Sequence, residues 1–188
     1  MAAPTTVRLA LIAPAMNAAL REARFDDAGP VEAVTVGPLT PKDGVRVTGS
    51  PSGRCRATAE ALGIRTEAYE AEPALAGCAM GRWRGRRLDE LTAQEPESVA
   101  AWLSDPAAAP HGGESLRQVR ARVAAWMDAL EPGTVWAVAE PDVIRAAVAH
   151  ALGAPEAAFW RLDVRPLERV ELSGRSGRWN VRLGAPVG

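Results

Sequence analysis

The sequence predicts an α/β fold, a three-layer sandwich in which helices cover both faces of a mostly parallel sheet. Two stretches read strand, tight turn, helix. One runs from Val45-Arg46-Val47-Thr48 through Ser50-Pro51-Ser52 into a helix, and the other from Val135-Trp136-Ala137-Val138-Ala139 through Glu140-Pro141-Asp142 into a second helix. A third observation is the clear helical period after Ser115, where Leu116, Val119, Val123, Trp126 and Leu130 step by 3, 4, 3 and 4 along one face. In such folds functional groups gather beyond the C-terminal ends of the parallel strands.

Taken in order, Val7-Arg8-Leu9-Ala10-Leu11-Ile12 is a short apolar run bounded by Pro14, the length of a buried strand rather than a helix. Residues 15–23 are alanine-rich and predict a short helix, broken by Phe25-Asp26-Asp27-Ala28-Gly29-Pro30. Residues 31–41 hold Pro38 and Pro41, with Pro30 just before them, and predict loop with some strand. The alternating, β-branched residues 45–48 predict a strand. Ser52 then caps a helix running to Leu62, and Gly63 closes it in the position where a left-handed backbone costs least. Residues 64–69 predict a short edge strand and 75–87 an irregular, glycine- and arginine-rich segment holding Trp83. Two short helices are predicted over 88–94 and 97–103, then a loop through Gly113 and the helix after Ser115, which ends near Pro132-Gly133. The second strand-turn-helix unit ends at Gly153. Residues 167–172 and 179–183 alternate around Gly174-Arg175-Ser176-Gly177, a terminal hairpin. With no linker or repeat between these elements, the prediction is one domain over residues 1–188.

Composition narrows the function classes. The chain has 188 residues, 47% of them apolar, so a substantial core needs no disulfide or metal to support it. Its only histidines are His111 and His150 and its only cysteines Cys55 and Cys78, too few for zinc clusters or a disulfide scaffold. No metal or cofactor is assigned. Lys42 is the sole lysine, and 22 Lys plus Arg stand against 23 Asp plus Glu, a net charge of −1 that argues against nucleic acid as a partner. No apolar run reaches membrane-spanning length. Arg8 interrupts the first apolar stretch and no basic leader precedes it, so the expectation is a cytoplasmic protein with reduced thiols.

Three turns are expected at the pocket: Ala13-Pro14-Ala15, Ser50-Pro51-Ser52-Gly53-Arg54, and Glu140-Pro141-Asp142. They form part of an ordered set of blocks: Ser50-Pro51-x-x-Arg54-x-x-x-Thr58-Ala59, Gly81-x-Trp83-x-Gly85, Gly112-Gly113-Glu114-Ser115 and Val143-Ile144-Arg145-Ala146. Together these resemble the histidine phosphatase superfamily, the phosphoglycerate-mutase-like proteins, over about residues 7–183. The resemblance implies phosphoryl transfer through a phosphohistidine. A histidine in Arg-His-Gly after the first strand attacks phosphorus, a second follows the strand before Val-Ile-Arg, and arginines hold the phosphate oxygens.

At nearly every one of those points this chain departs. The Arg-His-Gly positions read Ala13-Pro14-Ala15, the second histidine's position reads Glu140, and the acid ahead of the Gly-x-Trp block is missing from Leu75-Ala76-Gly77-Cys78-Ala79-Met80. Only Arg54 matches a phosphate-contacting residue. Proline offers no nucleophile, and a carboxylate roughly 4 Å from a phosphate charge opposes binding by on the order of 4 kcal/mol at an effective dielectric near 20. The expectation is a non-canonical member without phosphohistidine chemistry, a binding or regulatory pseudophosphatase. The alternative is an enzyme re-lined for cyclisation, hydrolysis or isomerisation in secondary metabolism, with Glu140 as acid/base and Arg54 as anion anchor.

The expected pocket comprises Arg54, Glu140, Ala13, Pro14, Ser50, Trp83 and His111, with a small, anionic molecule as the partner class. Each residue also has a plainer reading. Glu140 can neutralise Arg54 or cap the following helix, and Trp83 can serve packing alone. His111 can sit in a mobile surface loop, the commoner outcome, or stand in as nucleophile. Cys78 lies beside the missing acid but has no histidine near it in sequence, so an inert thiol is expected. Arg82, Arg84, Arg86 and Arg87 are expected to form a solvated face.

Overall fold

The computed structural model describes residues 5–26 and 28–184. Six strands form one sheet: β1 (Val7–Ile12), β2 (Val45–Gly49), β3 (Tyr69–Ala71), β4 (Gly133–Val138), β5 (Arg169–Arg175) and β6 (Arg178–Arg182), in the order β3-β2-β4-β1-β5-β6. The first four in that order run parallel and the terminal hairpin antiparallel. Among the described residues the α-helices are α1 (Ala18–Arg21), α2 (Gly53–Ala61), α3 (Leu88–Gln94), α4 (Pro96–Ser104), α5 (Leu116–Asp128) and α6 (Pro141–Ala151).

Alternation along β1 divides the core. Val7, Leu9 and Leu11 point to the face covered by α5 and α6, in a cluster with Val135, Ala137, Val123, Ile144 and Phe159. Ile12 joins Val47, Val138, Cys55 and Ala59 beneath α2 on the opposite face. Helices α3 and α4 lie off the sheet and close a third cluster around Trp83, Leu91, Val99 and Trp102.

Local chemistry accounts for the element ends. Ser52 caps α2 by accepting from the Cys55 N–H at 3.1 Å, and Gly63 takes φ +79° after the helix. Ser115 and Gln118 form a capping box on α5. Three expectations shift. The helix expected over 15–23 shrinks to Ala18–Arg21, because Asn17 caps it and Ala23 is left-handed at φ +49°. The strand expected over 64–69 is displaced to Tyr69–Ala71 by a 3-10 turn at Thr66–Ala68, and residues 31–41 contain no strand. The hairpin starts at Arg169 rather than 167, since Leu167 takes φ +61°, outside the β region.

The ends of β1, β2 and β4 lie side by side, with Ile12 and Gly49 both paired with Val138. Gly49 is required there: a Cβ would stand 2.4 Å from the Val138 carbonyl oxygen. The Gly81-x-Trp83 and Gly112-Gly113 blocks also meet. The Arg82 N–H donates to the His111 carbonyl at 2.9 Å, the Glu114 N–H to Ala79 at 2.8 Å, and a Cβ on Gly113 would fall 1.8 Å from the Ala79 carbonyl oxygen.

Trp83 has no exposed surface and stacks with Phe25 (centroids 6.0 Å apart) and edge-on with Trp102 (5.8 Å). Trp83→Ala is therefore expected to lower unfolding stability by about 3 to 5 kcal/mol, measured by urea denaturation. A loss under about 1 kcal/mol would contradict its role as the core of this third cluster.

Candidate functional site

The first residues beyond β2 and β4 bring Arg54 and Glu140 together. Ser50-Pro51-Ser52 turns the chain into α2 and places Arg54 in its first turn; Glu140 is the N-cap residue of α6. Arg54 Nη2 donates to Glu140 Oε2, Ser52 Oγ donates to Glu140 Oε1 at 2.8 Å, and the Cys55 thiol approaches the same oxygen at 3.5 Å. The two side chains are 7% and 4% exposed, a buried ion pair whose carboxylate is saturated with donors. Arg54 Nη1 lies 3.5 Å from Asn17 Oδ1, while its Nε is buried without a partner.

Beside this pair opens a cavity of about 450 Å³. Phe25, Met80, Leu88, Trp102, Leu116 and Trp160 contribute its apolar wall, and Arg24, Asp26, Arg54, Arg84, Glu140, Asp142 and Arg145 also line it. Distant segments are held together to make it. Phe25 is fixed by backbone bonds to Arg86 (3.0 Å) and from Gly85 (2.7 Å), and Trp160 rides on a 3-10 turn at Glu156–Arg161. Trp102 packs edge-on against both Phe25 (5.6 Å) and Trp160 (4.9 Å).

Asp142 accepts from the Cys78 N–H at 2.6 Å and the Val143 N–H at 2.9 Å, tying α6 to the loop before Trp83. Burial pushes its carboxyl up from the ordinary range, and the neighbouring Glu140 charge adds to this. Cys78 lines the cavity, but its thiol donates to the Glu114 carbonyl at 3.1 Å and is pushed up to about 12, by burial first and then by Asp142 and Glu114. A thiolate nucleophile is disfavoured there. Among the described residues no group of three or more His, Cys, Asp or Glu is placed to hold a metal ion, and no helix is long and apolar enough to cross a membrane.

Of the seven residues expected at the pocket, Arg54 and Glu140 line the cavity and the others do not. Ala13 and Pro14 are buried where β1 ends, the Pro14 carbonyl accepting from Leu167 N–H at 3.4 Å. Ser50 is enclosed, its carbonyl accepting from the Tyr69 hydroxyl at 2.7 Å. Trp83 stands behind Phe25 and Trp102, so those rings take the wall position expected of it.

His111 is enclosed rather than at the surface. It is 1% exposed, 5.1 Å from the Trp83 ring, and its Nδ1 accepts from the Gly113 N–H at 3.1 Å, which assigns the proton to Nε2. His150 pairs with Asp128 at 3.2 Å, away from the cavity. Of the arginines expected to form a solvated face, Arg82 and Arg86 pair with Glu95 and Arg87 with Asp89, whereas Arg84 lines the cavity. Sequence reasoning placed Asp142 in a turn expected at the pocket without giving it a role, and did not select Phe25, Trp102 or Trp160.

The fold and the geometry of its turns define a class. The histidine phosphatase superfamily (branch 1) model matches residues 21–185, and the chain belongs to that superfamily. Among solved structures the chain is similar to the mycobacterial glucosyl-3-phosphoglycerate phosphatase Rv2419c complexed with VO3, at 27% identity over 94% of this chain and 97% of that one, TM-score 0.73. It also shares its fold with a putative alpha-ribazole-5'-P phosphatase from Escherichia coli (20% identity, 94% and 95% covered, TM-score 0.76). Bacillus stearothermophilus YhfR has the same fold (21% identity, 97% and 98% covered, TM-score 0.76). No curated protein sequence matches significantly.

Two measurements test the site's electrostatics. Glu140→Ala is expected to cost about 3 to 5 kcal/mol by leaving Arg54 charged and unpaired, whereas the double replacement Arg54→Met with Glu140→Leu should recover most of that loss in urea denaturation. Additive losses would show the two do not act as a pair. Separately, burial and then the Arg82 charge hold the His111 imidazole below its usual range. The unfolded chain, with a pKa near about 6.5, binds that proton first, so stability present above this value is lost as pH falls through the lower folded-state value. The melting temperature should drop between about pH 7 and 5, and His111→Asn should flatten part of that drop; identical profiles would contradict the assignment.

Proposed function

We propose that this superfamily member has lost phosphohistidine chemistry and works as a ligand-binding protein through the cavity beside Arg54. The observation that carries the reading is the buried Arg54–Glu140 ion pair. In the family pattern the arginine at this position holds phosphate oxygens and a histidine stands where Glu140 does. Here the guanidinium is engaged by a carboxylate, and a phosphate dianion would have to displace it against like charge.

Two further substitutions agree. Pro14 supplies no nucleophile at the position of the first histidine. Gly77 lies in the segment where the family carries its acid, and a Cβ there would approach Glu140 Cγ at 3.1 Å. An acid at 77 and the present Glu140 side chain would crowd the same space, which supports reading the two changes as coupled. The same pair weighs against Glu140 as acid/base in a repurposed enzyme, because its oxygens already accept from Arg54 and Ser52. His111, enclosed against Trp83, is equally unsuited to replace the nucleophile.

Incubation with p-nitrophenyl phosphate is expected to give no turnover above the uncatalysed rate, and sodium orthovanadate is expected to leave the melting temperature unchanged. Turnover at enzymatic rates that disappears on Arg54→Ala would overturn the reading.

A further inference from the structure

Among the described residues the cavity carries four arginines, Arg24, Arg54, Arg84 and Arg145, against Asp26, Glu140 and Asp142. Most of these charges have partners within the protein. Arg54 and Glu140 hold each other, Arg24 donates to Glu22 and to the Gly85 carbonyl, Asp142 accepts two backbone N–H groups, and Asp26 accepts from the Ala28 N–H at 3.0 Å. Arg145 differs. Its Nε donates to the Leu162 carbonyl at 2.7 Å, and among the described residues that is the only bond its side chain makes. The residue is part-buried, and neither Nη is an enclosed atom, so the outer edge of the guanidinium keeps its N–H donors accessible in a side chain that lines the cavity.

The bond to Leu162 also sets this cation beside the aromatic wall. Leu162 closes the 3-10 turn Glu156–Arg161, two residues after Trp160. Trp160 is 38% exposed and meets Trp102 edge-on at 4.9 Å, and Trp102 meets Phe25 edge-on at 5.6 Å. Aromatic walls favour ring systems through stacking and edge contacts, and about 450 Å³ is within the size range of small-molecule sites.

The acids limit the charge of the occupant. A dianion entering the cavity meets Asp26, Glu140 and Asp142 along its walls, whereas a planar monoanion matches the two-donor edge of one guanidinium. Burial pushes the Asp142 carboxyl up toward its neutral form, which eases the repulsion of a single added charge.

We propose that the cavity binds an aromatic carboxylate, its ring against Phe25 and Trp160 and its carboxylate accepting from the two Nη groups of Arg145. The proposal deepens the preceding reading and rests on it: with Arg54 held by Glu140, the anion anchor lies on α6 instead of α2. An uncharged molecule of the same shape would fill the aromatic wall and gain nothing from Arg145. An aryl phosphate would bring a second negative charge toward the three acids.

The test titrates the full chain near neutral pH, followed by tryptophan fluorescence, with three probes of one ring system: 2-naphthoate, the uncharged 2-acetylnaphthalene of matching shape, and 2-naphthyl phosphate. Naphthoate is expected to bind about tenfold or more tightly than the ketone, the gain from hydrogen bonds to a charged donor, and more tightly than the phosphate. Arg145→Met keeps an unbranched stem and removes the guanidinium; it should bring naphthoate down to the level of the ketone and leave the ketone unchanged. Trp160→Ala should weaken naphthoate and ketone alike. Equal affinities for naphthoate and ketone in the unaltered protein, no binding of naphthoate, phosphate binding as tight as that of naphthoate, or a naphthoate preference that survives Arg145→Met would each overturn the proposal. The probe comparison on the unaltered protein decides the matter even if Arg145→Met fails to fold. Hydrolysis of 2-naphthyl phosphate at enzymatic rates alongside a naphthoate preference would overturn the loss of phosphohistidine chemistry alone, whereas absence of naphthoate binding by a protein without turnover would overturn the carboxylate assignment alone.

Discussion

The ion pair between Arg54 and Glu140 is the interaction on which the surrounding architecture depends. It joins the first turn of α2 to the N-cap of α6, on opposite faces of the sheet, across the ends of β2 and β4. Two charges at 7% and 4% exposure are tolerable only while each has the other. Ser52 shows the economy of the arrangement: one hydroxyl donates to Glu140 and accepts from the Cys55 N–H, so the cap of α2 and the solvation of the buried carboxylate share an atom.

Around that pair the loops of the superfamily fold are held by a few specific contacts. Gly77 removes side-chain volume next to Glu140, and Asp142 accepts two backbone N–H groups that bind α6 to the loop at Cys78. Arg122 reinforces the same loop from α5, pairing with Glu114 at 2.7 Å and donating to the Ala74 carbonyl at 2.7 Å. The loop is thus held by charge and backbone contacts, and it borders a cavity with an aromatic wall and a charged side.

Much of the framework was legible from local pattern. Strand β1 and helices α3 and α5 fall where apolar spacing and caps put them, since period, length and termini are all properties of neighbouring residues. The pairing of Arg54 with Glu140 was foreseeable as one of two readings, because both follow parallel strands whose ends must converge. The elements that shifted, α1, β3 and the start of β5, were decided by single backbone conformations: φ +49° at Ala23 and +61° at Leu167, and a 3-10 turn before Tyr69. No side-chain periodicity encodes those.

What the sequence by itself determined is the superfamily framework, because its blocks are runs of neighbouring residues, and the residue types Pro14 and Glu140 that follow the first and fourth strands. What only the tertiary structure decided is the cavity. Phe25, Trp102 and Trp160 come from segments far apart in the chain and meet because the Trp83 cluster packs behind two of them. His111, a surface loop residue by its neighbours, is enclosed because Gly81 and Gly113 let two loop backbones approach closer than any Cβ allows. Local sequence fixes which groups are present; long-range packing fixes which of them are left facing an open cavity and which lose their hydrogen-bond partners.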